Sequence, residues 1–389
     1  MAQGREFDVI IYGATGYTGR LVAEYLSKHS GDFTWAMAGR SAEKLASVRD
    51  EIGAPADTPL VVADASDPGS LKAMAARAGC VITTVGPYQL YGEPLVAACI
   101  ATGADYVDLC GEPAWMHQMI EKYEADAKAS GARIVFSCGF DSIPFDLGVW
   151  FLQQAAKETF GAPVPRIKGR VRAMQGTFSG GTAASFRETM AAVQKDPSLF
   201  NVLVNPFALA GGFTGPAQPD GNKPIEDIDI GSWSAPFVMA SINTKNVHRS
   251  NALLGHAYGE DFVYDEMMLT GPGEQGKKTA EVVASTDLLG GDGGPKPGEG
   301  PTPEEREAGH YDVLFYGIAA NGDVIKAGVT GDKDPGYGST SKMIAESALT
   351  LVKDDPGTPG GIWTTAPAMG GALVERLKAH AGLTFEIEA

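Results

Sequence analysis

FDVIIYGATGYTG, Phe7 to Gly19, is the stretch on which the reading of this chain turns. An apolar run rich in β-branched residues ends in three glycines, Gly13, Gly16 and Gly19, spaced G-x-x-G-x-x-G. The usual dinucleotide fingerprint is G-x-G-x-x-G at a strand-to-helix turn. Aligned from its end, the loop puts Gly16 where backbone must approach a pyrophosphate and Gly19 where helix and strand pack closely. Ala14 takes the place of the first glycine, and Gly13 sits one residue earlier. Thr15, Tyr17 and Thr18 complete the turn. The helix that follows offers free amides and the positive end of its dipole to phosphate.

The same strand–helix alternation continues outward from this stretch. TWAMAG, LVVAD, CVITTVG, DYVDLCG and RIVFSCG are short, apolar and β-branched, as strands buried on both faces should be. The segments between them have helical character. Ser41 is placed to cap one helix, Pro94 and Pro113 to open two others, and Gly103 and Gly131 to end helices. Residues 1–145 are therefore expected to form a Rossmann-type doubly wound parallel sheet, an α/β fold.

Beyond this the pattern loosens. RIKGRVRAMQ, PFVMASINTKNVHRS, HYDVLFYGIAA and DVIKAGVTG read as strands, and Asn321-Gly322 marks a hairpin between the last two. Helices are expected over Thr182–Lys195, Ser341–Lys353 and Ala368–His380. Residues 146–339 are thus expected to form a second, α+β domain around a mainly antiparallel sheet. Within it, residues 271–309 are dense in glycine and proline and read as a mobile loop or lid. Residues 340–389 either pack back on the first domain or complete the second.

The end of the second strand speaks to the cofactor. A site for NAD places Asp or Glu there to bind the ribose 2′-hydroxyl. Here the strand runs into Arg40, Ser41 and Lys44, which attract a 2′-phosphate, so NADP(H) is expected. Asp64, ending the third strand, either bonds the adenine edge or caps the following helix. After the fourth strand, Thr84, Val85, Gly86 and Pro87 would line the nicotinamide ribose, with Tyr88 and Tyr91 close to the reacting atoms.

Composition excludes several classes. With a net charge of −17, the chain shows no basic footprint for nucleic acid. No apolar run approaches the ~20 residues of a membrane span. MAQGREFDVII passes directly into a strand, so no signal or transit peptide is read, and a cytoplasmic protein is the default expectation. Cys80, Cys99, Cys110 and Cys138 form no C-x-x-C pair, so no metal site is expected; they read as buried, reduced thiols.

GATGYTG, AGRS, TTVGPYQLYGEPLVAAC, GADYVDLCGE and SCGFDSIPFDLG together resemble the saccharopine dehydrogenase-like oxidoreductases. The branch they resemble includes trans-acting enoyl reductases of lipid and polyketide assembly. GTFSGGT, NVHRSNALL, DPGYGSTSKMIAES and GGIWTTAPAMGGALVERL extend the resemblance over nearly the whole chain. It implies NADP(H) on the first domain, a substrate cleft against the second, and a homodimer. It also puts Gly139, Phe140 and Asp141 at the border of the nicotinamide, with Ser142 and Asp146 beyond. Members that act on amino-diacids grip them through paired basic residues. No such cluster is evident here, although Arg170, Arg172, Arg187 and Arg249 are available.

GTFSGGTAAS sets Gly180, Gly181 and Thr182 at the start of a helix, as a tight turn or as amides for an oxyanion. DPGYGST presents a turn with an exposed Tyr337. The expected activity is reduction of an enoyl C=C bond in a lipid- or polyketide-like substrate, with Tyr88 or Asp141 delivering the proton. Two alternatives stand beside it: reduction of an imine or ketone of a small metabolite, and NADP binding without turnover, as a sensor or lipid-associated scaffold.

Overall fold

A computed structural model describes residues 4–29, 31–176, 180–286 and 299–389. Six short strands alternate with helices in the first part of the chain: β1 (Phe7–Tyr12), β2 (Trp35–Gly39), β3 (Leu60–Val62), β4 (Ala78–Thr83), β5 (Asp105–Val107) and β6 (Arg133–Val135). The rest carries β7 (Arg166–Gln175), β8 (Ile225–Asp227), β9 (Ser232–Pro236), β10 (Val263–Gly271), β11 (His310–Ile318), β12 (Val324–Gly331), β13 (Gly361–Trp363) and β14 (Leu383–Glu388).

The first sheet is parallel throughout, in the order β13-β6-β5-β4-β1-β2-β3. β1 lies near its centre, with Ile10 level with Ala36 of β2 on one side and Val81 of β4 on the other. Val9, Ile10 and Ile11 are all fully buried, which is why the strand reads as a continuous apolar run. The strand order reverses direction between β1 and β4. Ligands of such sheets bind at this switch, beyond the carboxyl ends of the strands. Helix ends follow the local chemistry. Ser41 Oγ accepts from the Lys44 amide, while Gly103 and Gly131 close their helices in the left-handed conformation.

The second sheet runs β14-β12-β11-β7-β10-β9-β8. All its neighbours are antiparallel except β7 and β10. Helix Ile143–Phe160 leads from the first sheet to the second and packs against the second. Gly148 is needed there, because a Cβ would lie 2.2 Å from the Phe315 ring. The C-terminal stretch serves both sheets: β13 pairs with β6, and β14 pairs with β12.

Three expectations are corrected. PFVMASINTKNVHRS is not a strand; most of it is the helix Ala240–Leu253. Its polar residues face inward and meet distant partners, Asn243 on Glu266, Asn246 on Ser142 and Ser250 on Asp146. Residues 271–309 are not one loop, since helices Gly273–Ser285 and Pro303–Ala308 lie within them. The middle of that stretch, 287–298, lies outside the described residues. Tyr337 is buried rather than exposed, edge-on to Tyr17 with ring centres 4.8 Å apart.

Candidate active site

The glycine turn after β1 is shaped by close approach. Gly13 has φ +92°, and a Cβ there would lie 2.7 Å from Val85 Cγ2. A Cβ on Gly19 would lie 2.2 Å from the Gly13 carbonyl oxygen. Gly16 is different: it is exposed, and a Cβ would meet only that carbonyl, at 3.3 Å. It caps helix Tyr17–Lys28 without any side-chain hydrogen bond, so the first-turn amides receive no capping side chain. A bare helix N-terminus at a sheet switch point suits an anionic pyrophosphate.

At the ends of β2 and β3 the polar residues sit at the sheet margin. Arg40 and Lys44 are exposed. Ser41 Oγ is used in capping its helix. Asp64 closes a local turn, its Oδ1 accepting from the Ser66 amide and hydroxyl, each at 2.8 Å. These bonds hold its carboxyl below the usual range, and the Arg40 guanidinium adds to the effect. The helix beginning at Pro68 is capped by Asp67, not by Asp64.

A cleft enclosing about 1540 Å³, its open mouth included, runs from this turn across the ends of β4 and β5. Gly16, Tyr17, Thr18, Thr84, Gly86 and Pro87 form its first-domain wall. Phe186, Met190, Leu203, Val238, Met239 and Ile242 form an apolar wall opposite. Arg40, Ser41, Lys44, Asp64, Gly13, Thr15, Gly19 and Val85 are not in the lining. The first four lie at the sheet margin, and the glycines and Val85 shape the turn from behind. A smaller adjoining hollow is bordered by Gly139, Phe140 and Asp141. Phe140 turns its ring into the core against Phe145 and Tyr311, and its amide donates to Thr340 Oγ1 at 2.9 Å.

Asp141 borders both spaces. Its carboxylate has no hydrogen bond or ion pair among the described residues, and burial alone raises its pKa to about 7. Tyr88 is placed differently. Its hydroxyl donates to the Thr83 carbonyl (3.3 Å) and accepts from the Leu109 amide (3.0 Å), and burial pushes its pKa far up. Tyr88 therefore braces the loops after β4 and β5. Tyr91 is exposed on the outside.

Glu112, a residue the sequence reading passed over, ties the two walls together. It is buried, and its Oε1 accepts from the Tyr88 amide (2.8 Å) and from Ser185 Oγ (2.6 Å) on helix Gly180–Lys195. Its Oε2 accepts from the Gln89 amide at 2.8 Å. The available signal was the recurrence of the tripeptide G-E-P, whose second copy contains Glu112. None of Arg170, Arg172, Arg187 and Arg249 lines the cleft. Arg170 pairs with Asp227 and Asp265, Arg172 with Asp312 and Glu388, and Arg249 donates to the carbonyls of Leu209 and Ile362. Gly180, Gly181 and Thr182 open the helix as expected, but the Gly180 amide is already bound by the Tyr337 hydroxyl. Thr177, Phe178 and Ser179 of the same motif lie outside the described residues.

Residues 9–135 match the saccharopine dehydrogenase NADP binding domain. The chain is 42% identical to a Mycobacterium tuberculosis protein provisionally named a trans-acting enoyl reductase, over 99% of this chain and 98% of that one. It is 38% identical to the trans-acting enoyl reductase of Mycobacterium ulcerans, over 96% of each. The chain belongs to the saccharopine dehydrogenase-like oxidoreductases. Like that family it binds NADP, and it is an NADP-dependent oxidoreductase. The yeast saccharopine dehydrogenase (L-Glu forming) shares the fold of this family member, with a TM-score of 0.50 at 12% identity, covering 98% of this chain and 100% of that one. The glycine turn fits the cofactor: Gly16 leaves room for a pyrophosphate, and the first-turn amides have no capping side chain. No helix among the described residues is long and apolar enough to cross a membrane.

Proposed function

We propose that this protein reduces the C=C bond of an apolar enoyl substrate, with Asp141 as the proton donor. The cofactor supplies the hydride when bound. The observation that carries the reading is the setting of Asp141. It is a carboxyl without a hydrogen bond or ion pair among the described residues, raised to about 7 by burial, where the cofactor wall meets an apolar one. Protonated near neutral pH, such an acid can deliver a proton to the α-carbon as the β-carbon receives the hydride. Tyr88, whose proton is committed to a backbone carbonyl, is assigned the bracing role instead.

The opposite wall supports an acyl chain rather than a small polar metabolite. An amino-diacid would need cations, and among the described residues no lysine or arginine lines the cleft. The apolar wall reaches solvent, since its Phe186 and Met190 are both at least 40% exposed. In this reading Gly16 and the first-turn amides hold the pyrophosphate, with Tyr17 and Thr18 beside them. Arg40, Ser41 and Lys44 select the 2′-phosphate, and Thr84, Gly86 and Pro87 line the nicotinamide ribose. The protein works in the cytoplasm, where its four buried thiols stay reduced, and as a homodimer. The test is NADPH oxidation across matched enoyl, imino and keto compounds. Turnover confined to the enoyl thioesters supports the proposal; turnover of imines or ketones alone rejects it.

A further inference from the structure

Among the described residues, the lining of the cleft contains no lysine or arginine. The chain as a whole carries −17. The first-turn amides can hold a pyrophosphate by themselves, a cation close to the glycine turn would add to that hold, and one stands against Tyr17. Arg306, on the second domain's helix Pro303–Ala308, donates from Nη1 to the Tyr17 hydroxyl and to the Pro301 carbonyl. Its guanidinium carbon lies 5.7 Å from the centre of the Tyr17 ring.

The contact is built rather than casual. The Tyr17 hydroxyl donates to the Pro301 carbonyl, and Gly300 packs so closely that a Cβ would lie 2.5 Å from the tyrosine ring. Tyr337 stands edge-on to Tyr17, its hydroxyl donating to the Glu299 carbonyl at 3.2 Å. A capping box of Thr302 and Glu305 fixes the helix that carries Arg306, and the Arg306 carbonyl accepts from the Asp334 amide at 3.1 Å. Two carboxylates stand near enough to feel its charge, and both have closer partners: Asp334 accepts from the amides of Tyr337 and Gly338, and Glu307 pairs with Lys333. Arg306 makes no ion pair, and its Nε and Nη2 have no hydrogen-bond partner, among the described residues.

We infer that Arg306 supplies the countercharge for the cofactor's pyrophosphate from the second domain, with Tyr17 as its mount on the glycine turn. Cofactor binding then depends on a residue some 290 positions from the turn it serves, and residues 299–308 clamp the two domains around the dinucleotide. This rests on NADP binding alone and is independent of which bond is reduced.

The experiment is a direct binding titration, without substrate. NADPH and adenosine 2′-monophosphate, which lacks the pyrophosphate, are titrated against the full-length protein and against Arg306→Gln, with melting curves as a check of folding. Arg306→Gln is expected to weaken NADPH about tenfold, to leave adenosine 2′-monophosphate within twofold, and to flatten the salt dependence of NADPH binding. Arg306→Lys keeps the charge but not the fork, and should lose about threefold for NADPH only. It decides the matter if the glutamine variant is unfolded. Unchanged NADPH affinity overturns the inference, as does equal weakening of both ligands, which would mean that Arg306 merely supports the fold. Failure of the unmodified protein to bind NADPH would instead strike the cofactor assignment itself, and this inference with it.

Discussion

Asp141→Asn is the sharpest perturbation of the proposed chemistry. The substitution keeps shape and removes a titratable proton. A positioned general acid contributes about 10²–10⁴ in rate, so kcat should fall at least about 100-fold, or about 3 kcal/mol in the barrier. NADPH affinity should stay within about threefold, because none of the proposed phosphate-binding groups is touched. The pH profile carries more information than the rate. With Asp141 raised to about 7, the competent form is the protonated one, so kcat should fall about tenfold per pH unit above neutrality, and the Asn variant should lose that limb. Stability should move the other way. The native carboxyl holds its proton more tightly than the unfolded one, whose usual value is 3.8. The carboxyl's contribution to stability is therefore full below about 4 and is lost as pH rises through about 7. The full displacement would correspond to about 4 kcal/mol; because Asp141 opens on the cleft, about half of that is expected. Asp141→Asn should thus be more stable than the parent at pH 8, by about 2 kcal/mol in denaturant titrations, and nearly equal to it at pH 4. A variant that retains kcat within threefold, or an unchanged alkaline limb, would remove Asp141 as the proton donor.

Arg40→Asp should reverse the sign of the field at the 2′-phosphate and cost about 100-fold in kcat/KM with NADPH, while NADH gains; unchanged NADPH preference removes Arg40 from the site. Glu112→Gln replaces an acceptor of three hydrogen bonds with a group that must present an amide to backbone N–H. A loss of about 1–3 kcal/mol in unfolding free energy is expected, with a higher KM as the two walls separate. Met190→Lys places a charge on the apolar wall. It should raise KM for long acyl thioesters by about tenfold and leave short ones little affected, as measured on a chain-length series.

The parallel sheet was legible because its signals are local. Continuous apolar runs, a glycine turn, Ser41 at a cap and glycines at helix ends each report on their own neighbourhood. Arg40 was legible for the same reason, since its position follows from where β2 ends. The second domain was less so. Helix Ala240–Leu253 mixes Ile, Thr, Val and Asn at a spacing that resembles a strand, and only distant partners such as Glu266, Ser142 and Asp146 make its buried amides and hydroxyls affordable in a core. Tyr337 looked exposed because its turn is rich in Gly and Pro, yet it is covered by Tyr17 from the distant glycine turn after β1. Glu112 lies beside an ordinary helix start. Its bonds to the Tyr88 and Gln89 amides and to Ser185 join residues far apart in the sequence. Asp141 could be named from the resemblance, but its burial without a partner among the described residues became visible only in three dimensions.

Enoyl reduction can be followed most directly through transfer of deuterium from 4-deuterated NADPH to an α,β-unsaturated acyl thioester in deuterium-free water. The label, delivered from one face of the nicotinamide, is expected at the β-carbon of a saturated product, with a solvent proton at the α-carbon, and Asp141→Asn is expected to slow formation of both bonds. Label at a carbonyl or imine carbon, or none in any acyl product while NADPH binds tightly, would contradict enoyl reduction.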